Sequence, residues 1–380
     1  MEKFIKFPPE LFLRPLARGT STLIRPQACL ELKQKLSSPS FLKNAVSSSS
    51  TRRNFFKAAV CKELGKPLVI DLIESQPELS SGEIRIQVEA VGVNFGDLLM
   101  VVGEYQVKLP TPFVPGSEMS GVILEVGPDV TDLTPGMRVV GLSQSFGAYA
   151  EEVVTTQDSV WEIPEKMSMT EAAGFVCSYG TALLALKKRA ALKENEHLLV
   201  TAAAGAVGLA AVDIGANAIG AKVIGAVGSD EKCDIVRSRG AVAAINYKKD
   251  NLRSKMKEIC SSGANVVFDT VGGQIFKDAF RSIAFEGRLL VIGFASGDIP
   301  QIPANHLLVK NISTIGTYWG AYAMENVKTF KWSVNESFRL YNDGKLTPLV
   351  SATFDLSQIN KAFEFIKARK SVGKVIIEVR

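Results

Sequence analysis

One stretch limits the fold more than any other: His197-Leu198-Leu199-Val200-Thr201-Ala202-Ala203-Ala204-Gly205-Ala206-Val207-Gly208. Leu198 to Thr201 is a short apolar run that reads as a buried strand. Ala202, Gly205 and Gly208 follow at a spacing of three. Residues 206–218 are then almost wholly Ala, Val, Leu, Ile and Gly, the pattern of a helix pressed on both sides. Gly220 closes that helix, and Val223 to Val227 reads as a second strand. Strand, small-residue turn, helix, strand is half of a dinucleotide-binding sheet. The turn lacks bulk so that backbone can approach a pyrophosphate, and the helix start offers free N–H groups and a positive dipole end. Any tight turn favours glycine, so it is the β-α-β frame around this one that gives it nucleotide meaning.

The chain on either side divides in two. Before residue 170, short apolar segments punctuated by Gly and Pro predict a compact, barrel-like β unit: 57–61, an alternating 83–91, 121–127, 137–141 and 149–154. From Glu171 to Leu186 the pattern becomes helical, ended by Lys187-Lys188-Arg189. Strands at 265–271, 287–294 and 312–317 then alternate with helices, which predicts a parallel sheet covered on both faces. One long helix is expected over 324–342, closed by Gly344, and another over 359–370. A terminal strand, Val375 to Val379, should pair back into the first, β-rich unit.

Composition narrows the function. Hydrophobic residues make up 46% and charged residues 22% of the chain, as in globular proteins. No apolar run reaches the length of a membrane span. The net charge of +5 is uneven: residues 1–55 carry five Lys, five Arg and three Glu, so the remainder is close to neutral. The folded part therefore has no basic signature for nucleic acid. Five scattered cysteines with no CxxC pair argue for reduced thiols, and neither His197 nor His306 has a Cys or His partner at ligand spacing, which speaks against a zinc site. Residues 1–55 are Arg-, Ser- and Pro-rich and poor in acids. This is the composition of a mitochondrial transit peptide, with an unaddressed extension of a cytoplasmic protein as the alternative, since Glu2 and the prolines work against an amphipathic helix.

From about Phe56 to Arg380 the chain resembles the zinc-free quinone oxidoreductase branch of the medium-chain dehydrogenase/reductase superfamily. The motifs run in the family's order: Val93-Asn94-Phe95-Gly96-Asp97, Gly103-Glu104-Tyr105, Pro112 through Gly121, Tyr179-Gly180-Thr181-Ala182, Ala202 to Gly208, Asn246-Tyr247, Val291-Ile292-Gly293 and Gly373-Lys374-Val375. Lys310-Asn311-Ile312 and Tyr318-Trp319-Gly320 bring it nearer the quinone oxidoreductase-like members. The resemblance implies an α/β fold, a Rossmann doubly wound parallel sheet inserted in a GroES-like β-rich catalytic domain. Its expected parts are a leader at 1–55, catalytic domain at 56–178, nucleotide domain at 179–320, and a return to the catalytic domain at 321–380. Zinc-dependent relatives carry Cys where Asn94 stands and His where Ser117 stands; Asn and Ser supply neither thiolate nor imidazole. Two departures stand out. Asp213 replaces a usual Gln in the helix after the turn, and Leu99 replaces a tyrosine often found after the Asn-Phe motif.

The second strand ends Ala226-Val227-Gly228-Ser229 without the acid that would hold an NAD ribose and repel a 2′-phosphate. The resemblance assigns that phosphate to Ser229, Lys232 and Tyr247, so NADPH is the expected cofactor. It further assigns Thr181 to phosphate or ribose, Ala202, Gly205, Ala206, Val207 and Gly208 to the pyrophosphate turn, Gly293 and Phe294 to the nicotinamide border, and Lys374 with Asn94 to the nicotinamide or its ribose. A reductase of quinones or enones must stabilise the oxygen that becomes negative. Asn94 and Tyr105 are the candidate catalytic residues, with lid packing as the alternative for Tyr105. Asp97 and Glu118 read as structural, and Tyr318 and Trp319 as pocket lining or core. Two other functions compete: a mitochondrial enoyl-thioester reductase, and an NADPH-binding structural protein without turnover. Relatives pair through the edge of the Rossmann sheet, so a homodimer is expected.

Overall fold

The computed structural model describes residues 55–379 except Pro77. The leader reading therefore falls outside the described residues, apart from Phe55, which already belongs to a strand. That strand, β1 (Phe55–Val60), pairs antiparallel with β2 (Val69–Glu74). The catalytic part is a seven-stranded sheet. It contains β3 (Glu83–Val93), β4 (Glu118–Val126), β5 (Arg138–Leu142), β6 (Glu152–Thr156) and β7 (Val160–Glu162).

The nucleotide part holds β8 (His197–Thr201), β9 (Lys222–Val227), β10 (Ala243–Asn246), β11 (Ala264–Asp269), β12 (Ile283–Val291) and β13 (Ser313–Gly316). Their order is β10-β9-β8-β11-β12-β13, and every pairing is parallel. This is the doubly wound arrangement expected from the apolar strand runs. The strand order reverses between β8 and β11, so a ligand crevice lies beyond Thr201 and Asp269 at the carboxyl ends. After this sheet the chain returns through β14 (Val350–Asp355) and β15 (Lys374–Glu378), which complete the order β14-β15-β3-β4-β5-β7, with β6 pairing β3. β15 runs antiparallel to β3, with Val375 opposite Val93. The chain end is thereby laid beside the Asn94 motif, as the terminal apolar run predicts.

Two expected helices are broken. The segment 171–186 splits into Met169–Ala172 and Val176–Leu183, continuing as a π-helical stretch to Arg189. At the break, a Cβ on Gly174 would lie 2.5 Å from Lys374 Cγ, so the backbone bends to let that lysine pass. The helix expected over 324–342 is interrupted at Asn326, whose extended φ of −157° starts a new helix, Val327–Asn342. The Asn326 side chain accepts from Thr329 N at 3.0 Å, and this cap outweighs continuing the earlier turn. β12 begins four residues before the expected Gly287, because a bulge that includes Glu286 at φ 56° lets Ile283 pair with Ala264. Among the described residues no helix is long and apolar enough to cross a membrane.

Candidate active site

The turn after β8 is built by close approach. Ala202 takes a left-handed φ of 45°, and a Cβ on Gly208 would stand 2.3 Å from its carbonyl oxygen. Only glycine allows the helix Ala206–Asp213 to rise that close to the strand end. Gly205, Ala206 and Val207 remain partly exposed while Gly208 is buried, so the accessible start of the helix is the part assigned to a pyrophosphate. The helix is anchored at its other end by Asp213. This fully buried carboxylate accepts from Tyr179 Oη at 2.7 Å and Thr347 N at 3.1 Å. Burial pushes its pKa up against those hydrogen bonds. The departure at Asp213 is thus a tie between the turn's helix and two neighbouring segments.

Beyond β9, a Cβ on Gly228 would meet Tyr247 Oη at 3.2 Å and Lys248 Cε at 3.5 Å. Ser229 caps the next helix, accepting from Lys232 N at 3.3 Å. Lys232 is not a free surface lysine: its Nζ donates to the carbonyls of Arg369 and Ser371 at 2.9 and 3.0 Å. Burial, with Lys248 nearby, lowers its pKa. The neighbouring acid Asp230 is drawn away, accepting from Asn246 Nδ2 at 2.7 Å and pairing with Lys249. Ser229, Lys232, Tyr247 and Lys248 therefore cluster around a backbone without a side chain. Lys248 was missed in the sequence because it reads as one member of an exposed Lys-Lys-Asp run.

The third part is a buried polar cluster where the two sheets meet. Lys374, 4% exposed, threads between Gly92 and Gly174; a Cβ on Gly92 would lie 2.8 Å from its Cε. Its ammonium donates to Asn94 Oδ1 at 2.9 Å and to Glu118 Oε2 at 2.7 Å. The other Glu118 oxygen accepts Cys177 N at 2.7 Å. Burial disfavours the ammonium, yet Glu118 above all, with Cys177 and Asp97, together offset it, and the Lys374 pKa lies above its usual value. Burial pushes the Cys177 thiol well up, with Glu118 adding to the effect. Asp97 accepts from Asn94 N at 2.8 Å and Tyr149 Oη at 2.7 Å. Burial raises its pKa to about 6. The cation beside Asn94 and Glu118 is thus the protein's own lysine. Among the described residues no group of three or more His, Cys, Asp or Glu is placed to hold a metal ion. Gly373, next to Lys374, donates to Ala204 O at 2.8 Å, which joins this cluster to the glycine turn.

The remaining candidates lie on other elements. Tyr105 lies over the first turn of the helix Phe95–Val101, its Cε2 3.0 Å from where a Gly96 Cβ would be. Its pKa is raised, first by burial and then by the Tyr318 hydroxyl. Thr181 lies on the helix Val176–Leu183, one residue after Gly180, against which Trp319 packs. Trp319 is buried and donates to Ser333 Oγ at 2.9 Å, which makes it core. Gly293 and Phe294 follow the end of β12 rather than lying within a strand, on the crevice side of the sheet.

Comparisons with known proteins agree with this architecture. Residues 80–165 match the family model "Alcohol dehydrogenase GroES-like domain", and residues 206–335 match "Zinc-binding dehydrogenase". The chain is 44% identical to quinone oxidoreductase-like protein 2 homolog of Nematostella vectensis over 98% of both chains. It is 44% identical to quinone oxidoreductase-like protein 2 of Bos taurus over 86% of this chain and 93% of that one. Its fold is similar to that of Escherichia coli quinone oxidoreductase complexed with NADPH, with a TM-score of 0.77 and 26% identity over 86% of this chain and 99% of the other.

Proposed function

Because this chain belongs to the quinone oxidoreductase-like family of medium-chain dehydrogenases/reductases, and is by that membership an oxidoreductase, we propose that it reduces quinones or α,β-unsaturated carbonyls with NADPH and without zinc. The observation that carries the cofactor is the cradle after β9. Tyr247 and Lys248 lie against Gly228, Ser229 and Lys232 follow it, and of the two acids beside them Asp230 is paired with Asn246 and Lys249, while Ser229 holds the Glu231 carboxyl below its usual range. A 2′-phosphate is a dianion that needs such cations, and a bare ribose does not. The glycine turn fits as well: its accessible residues lack bulk at the place where a pyrophosphate would lie. The Escherichia coli relative, solved with NADPH, supports the same reading.

When bound, NADPH supplies a hydride to the substrate carbon. The protein's part is to bind, orient and stabilise. Lys374 and Asn94, locked together by Glu118, present a fixed cation and a carboxamide toward the nicotinamide ribose. Thr181 and the turn residues Ala202 to Gly208 hold the phosphates. Tyr105, like any phenol, keeps its proton at neutral pH, and burial raises its pKa further, so it serves as a hydrogen-bond donor to the oxygen that becomes negative. Zinc plays no part in this scheme, since Lys374 already neutralises Glu118.

Lys232→Ala tests the cofactor assignment. Loss of one charge-assisted contact should weaken NADPH binding by about 10- to 100-fold and leave NADH unchanged. Equal affinities of variant and wild type for NADPH would refute it. NADPH oxidation with small quinones, enones and enoyl thioesters separates the chemistries. Turnover confined to enoyl thioesters would favour the enoyl reductase, and tight NADPH binding without any turnover the structural protein.

A further inference from the structure

The helix Phe95–Val101 is amphipathic the wrong way round. With its cap residue Val102 it reads Phe-Gly-Asp-Leu-Leu-Met-Val-Val. Its single polar residue, Asp97, is buried, and so are Leu98, Met100 and Val101. Leu98 and Val101 belong to the core of the catalytic part. The opposite face of a surface helix is ordinarily polar; here it is apolar. Phe95 and Val102 are 41% and 37% exposed, and Leu99 between them is half-buried. Spaced four and three residues apart, the three stand in one row, roughly 10 Å long at the helical rise. Leu64, 45% exposed, lies against the residue that follows Val102: its Cδ1 is 3.0 Å from where a Gly103 Cβ would be. Gly65 N holds that segment in place by donating to Val101 O at 2.9 Å.

One end of this row is the candidate site. Asn94 caps the helix and accepts from Lys374 Nζ at 2.9 Å. Tyr105 lies over Gly96, and its N–H, with that of Glu104, donates to the Leu99 carbonyl at 3.2 and 2.7 Å. The row therefore starts beside the carboxamide, passes the phenol and ends near Leu64. Apolar side chains exposed singly need no explanation, but a continuous row joined to a polar site does. The departure at Leu99 belongs to it, since a tyrosine there would set a hydroxyl in its middle. What covers the row is narrow. A specific protein partner takes about 800 Å² of each surface. Here none of the four side chains is as much as half exposed, and the exposed charged residues Lys66, Glu104 and Lys108 follow closely in the chain. The Lys108 ammonium donates to the Gly103 carbonyl, next to Leu64. A single hydrocarbon chain suits a row one side chain wide, because it has no hydrogen bond to satisfy and gains by leaving water.

We infer that the substrate is a quinone or enone carrying an alkyl or prenyl chain, with its head at Asn94 and Tyr105 and its chain along Phe95, Leu99, Val102 and Leu64. The inference rests on the reductase reading above and names the substrate class within it.

The test measures kcat/KM at saturating NADPH for para-benzoquinones bearing no chain or a butyl, octyl or decyl chain. It uses full-length wild type, Val102→Asn, and Leu99→Asn combined with Val102→Asn. A fully buried methylene is worth about fourfold, and one lying on an open face about twofold, so wild type should gain at least about tenfold from butyl to octyl. The gain should flatten once the chain outruns the row. Val102→Asn, at a position already partly exposed, should cut the ratio of octyl to unsubstituted quinone by about threefold, and the double variant by about tenfold. NADPH Kd, read by fluorescence, should stay within about twofold of wild type in both, which shows that they are folded. Turnover that ignores chain length, or a chain preference that survives both substitutions, overturns the inference and leaves the reductase reading standing. A flat series, together with a wild-type assembly that the double variant splits, would overturn it in favour of a second copy on this face. A wild type that binds NADPH but reduces no quinone or enone, with or without a chain, removes both readings together.

Discussion

At the scale of single residues, the polar cluster around Lys374 makes the firmest predictions. Glu118 is fully buried and Lys374 nearly so, so each charge depends on the other. Lys374→Met should destabilise the protein by about 3–5 kcal/mol in urea denaturation, because it strands a buried carboxylate. Adding Glu118→Gln should recover much of the loss; a double variant no more stable than the single would show that the pair is not the cause. Asp97 sets a pH dependence. Its folded pKa of about 6 lies above the ordinary carboxyl value of 3.8, because burial opposes the charge. Between those pH values the folded state binds a proton that the unfolded state has released. The contribution of Asp97 is therefore fully present below about pH 4 and is lost as pH rises through 6. Relative to Asp97→Asn, wild type should lose on the order of 2–3 kcal/mol between pH 4 and 7.5. Parallel stability profiles for the two proteins would refute this. These partnerships were only half legible in the sequence. Asn94 and Lys374 stood out by motif, but nothing in a linear chain says that residue 374 threads between two glycines to reach residue 94.

At the scale of elements, legibility followed the strength of the local signal. Five of the six strands of the nucleotide sheet read directly from apolar runs, even the largely exposed edge strand β13; β10 was seen only by its end, Asn246-Tyr247. β2 and β14 were missed: β2 is largely exposed and shows no alternation, whereas β14 does alternate, with Val350, Ala352 and Phe354 half-buried, but over only six residues of mixed polarity. Their pairing comes from long-range register with β1 and β15, which propensity does not carry. The short β7 was missed for want of length. The break before Val327 was hidden because a capping asparagine looks like any polar residue on a helix face. The glycine turn was legible by residue type, yet its steric reason appears only in three dimensions. Gly208→Ala would press a methyl onto the backbone of Ala202 and Ala203, whose atoms lie 2.3 to 3.0 Å from the new Cβ. The helix Ala206–Asp213 must then lift from the strand end. The expected cost is about 1–3 kcal/mol of stability, with at least a tenfold loss in NADPH affinity measured by titration. A variant with wild-type affinity would mean that the turn does not carry the pyrophosphate.

For the molecule as a whole, we propose that residues 1–55 act as a mitochondrial leader and that the chain works as a homodimer. Mass spectrometry of the mature N-terminus from isolated mitochondria tests the first; an intact Met1 there would end it. The second rests on the far edge of the nucleotide sheet. Among the described residues β13 pairs with β12 alone, so one edge faces no further strand, although the Gly316 carbonyl accepts from Arg189, and its residues are mostly exposed. The helix Ala304–Lys310 before it buries none of its residues, leaving Leu308 and Val309 78% and 76% exposed. Lys310 donates to Ile283 O, which brings this helix to the start of β12, where Phe285 is 62% exposed. An open strand edge beside clustered aliphatic and aromatic side chains is a liability for a monomer. Two copies meeting edge to edge about a twofold axis would satisfy the backbone and cover the apolar side chains together. The protein should therefore sediment at about twice the 41.0 kDa chain mass. Leu308→Asp combined with Val309→Asp should yield monomers, since like charges cannot be buried against their own symmetry mates without partners. Because the cofactor crevice lies at the other end of the strands, NADPH affinity should survive the change. A wild type that sediments as a monomer, or a double variant that remains dimeric, would place the interface elsewhere.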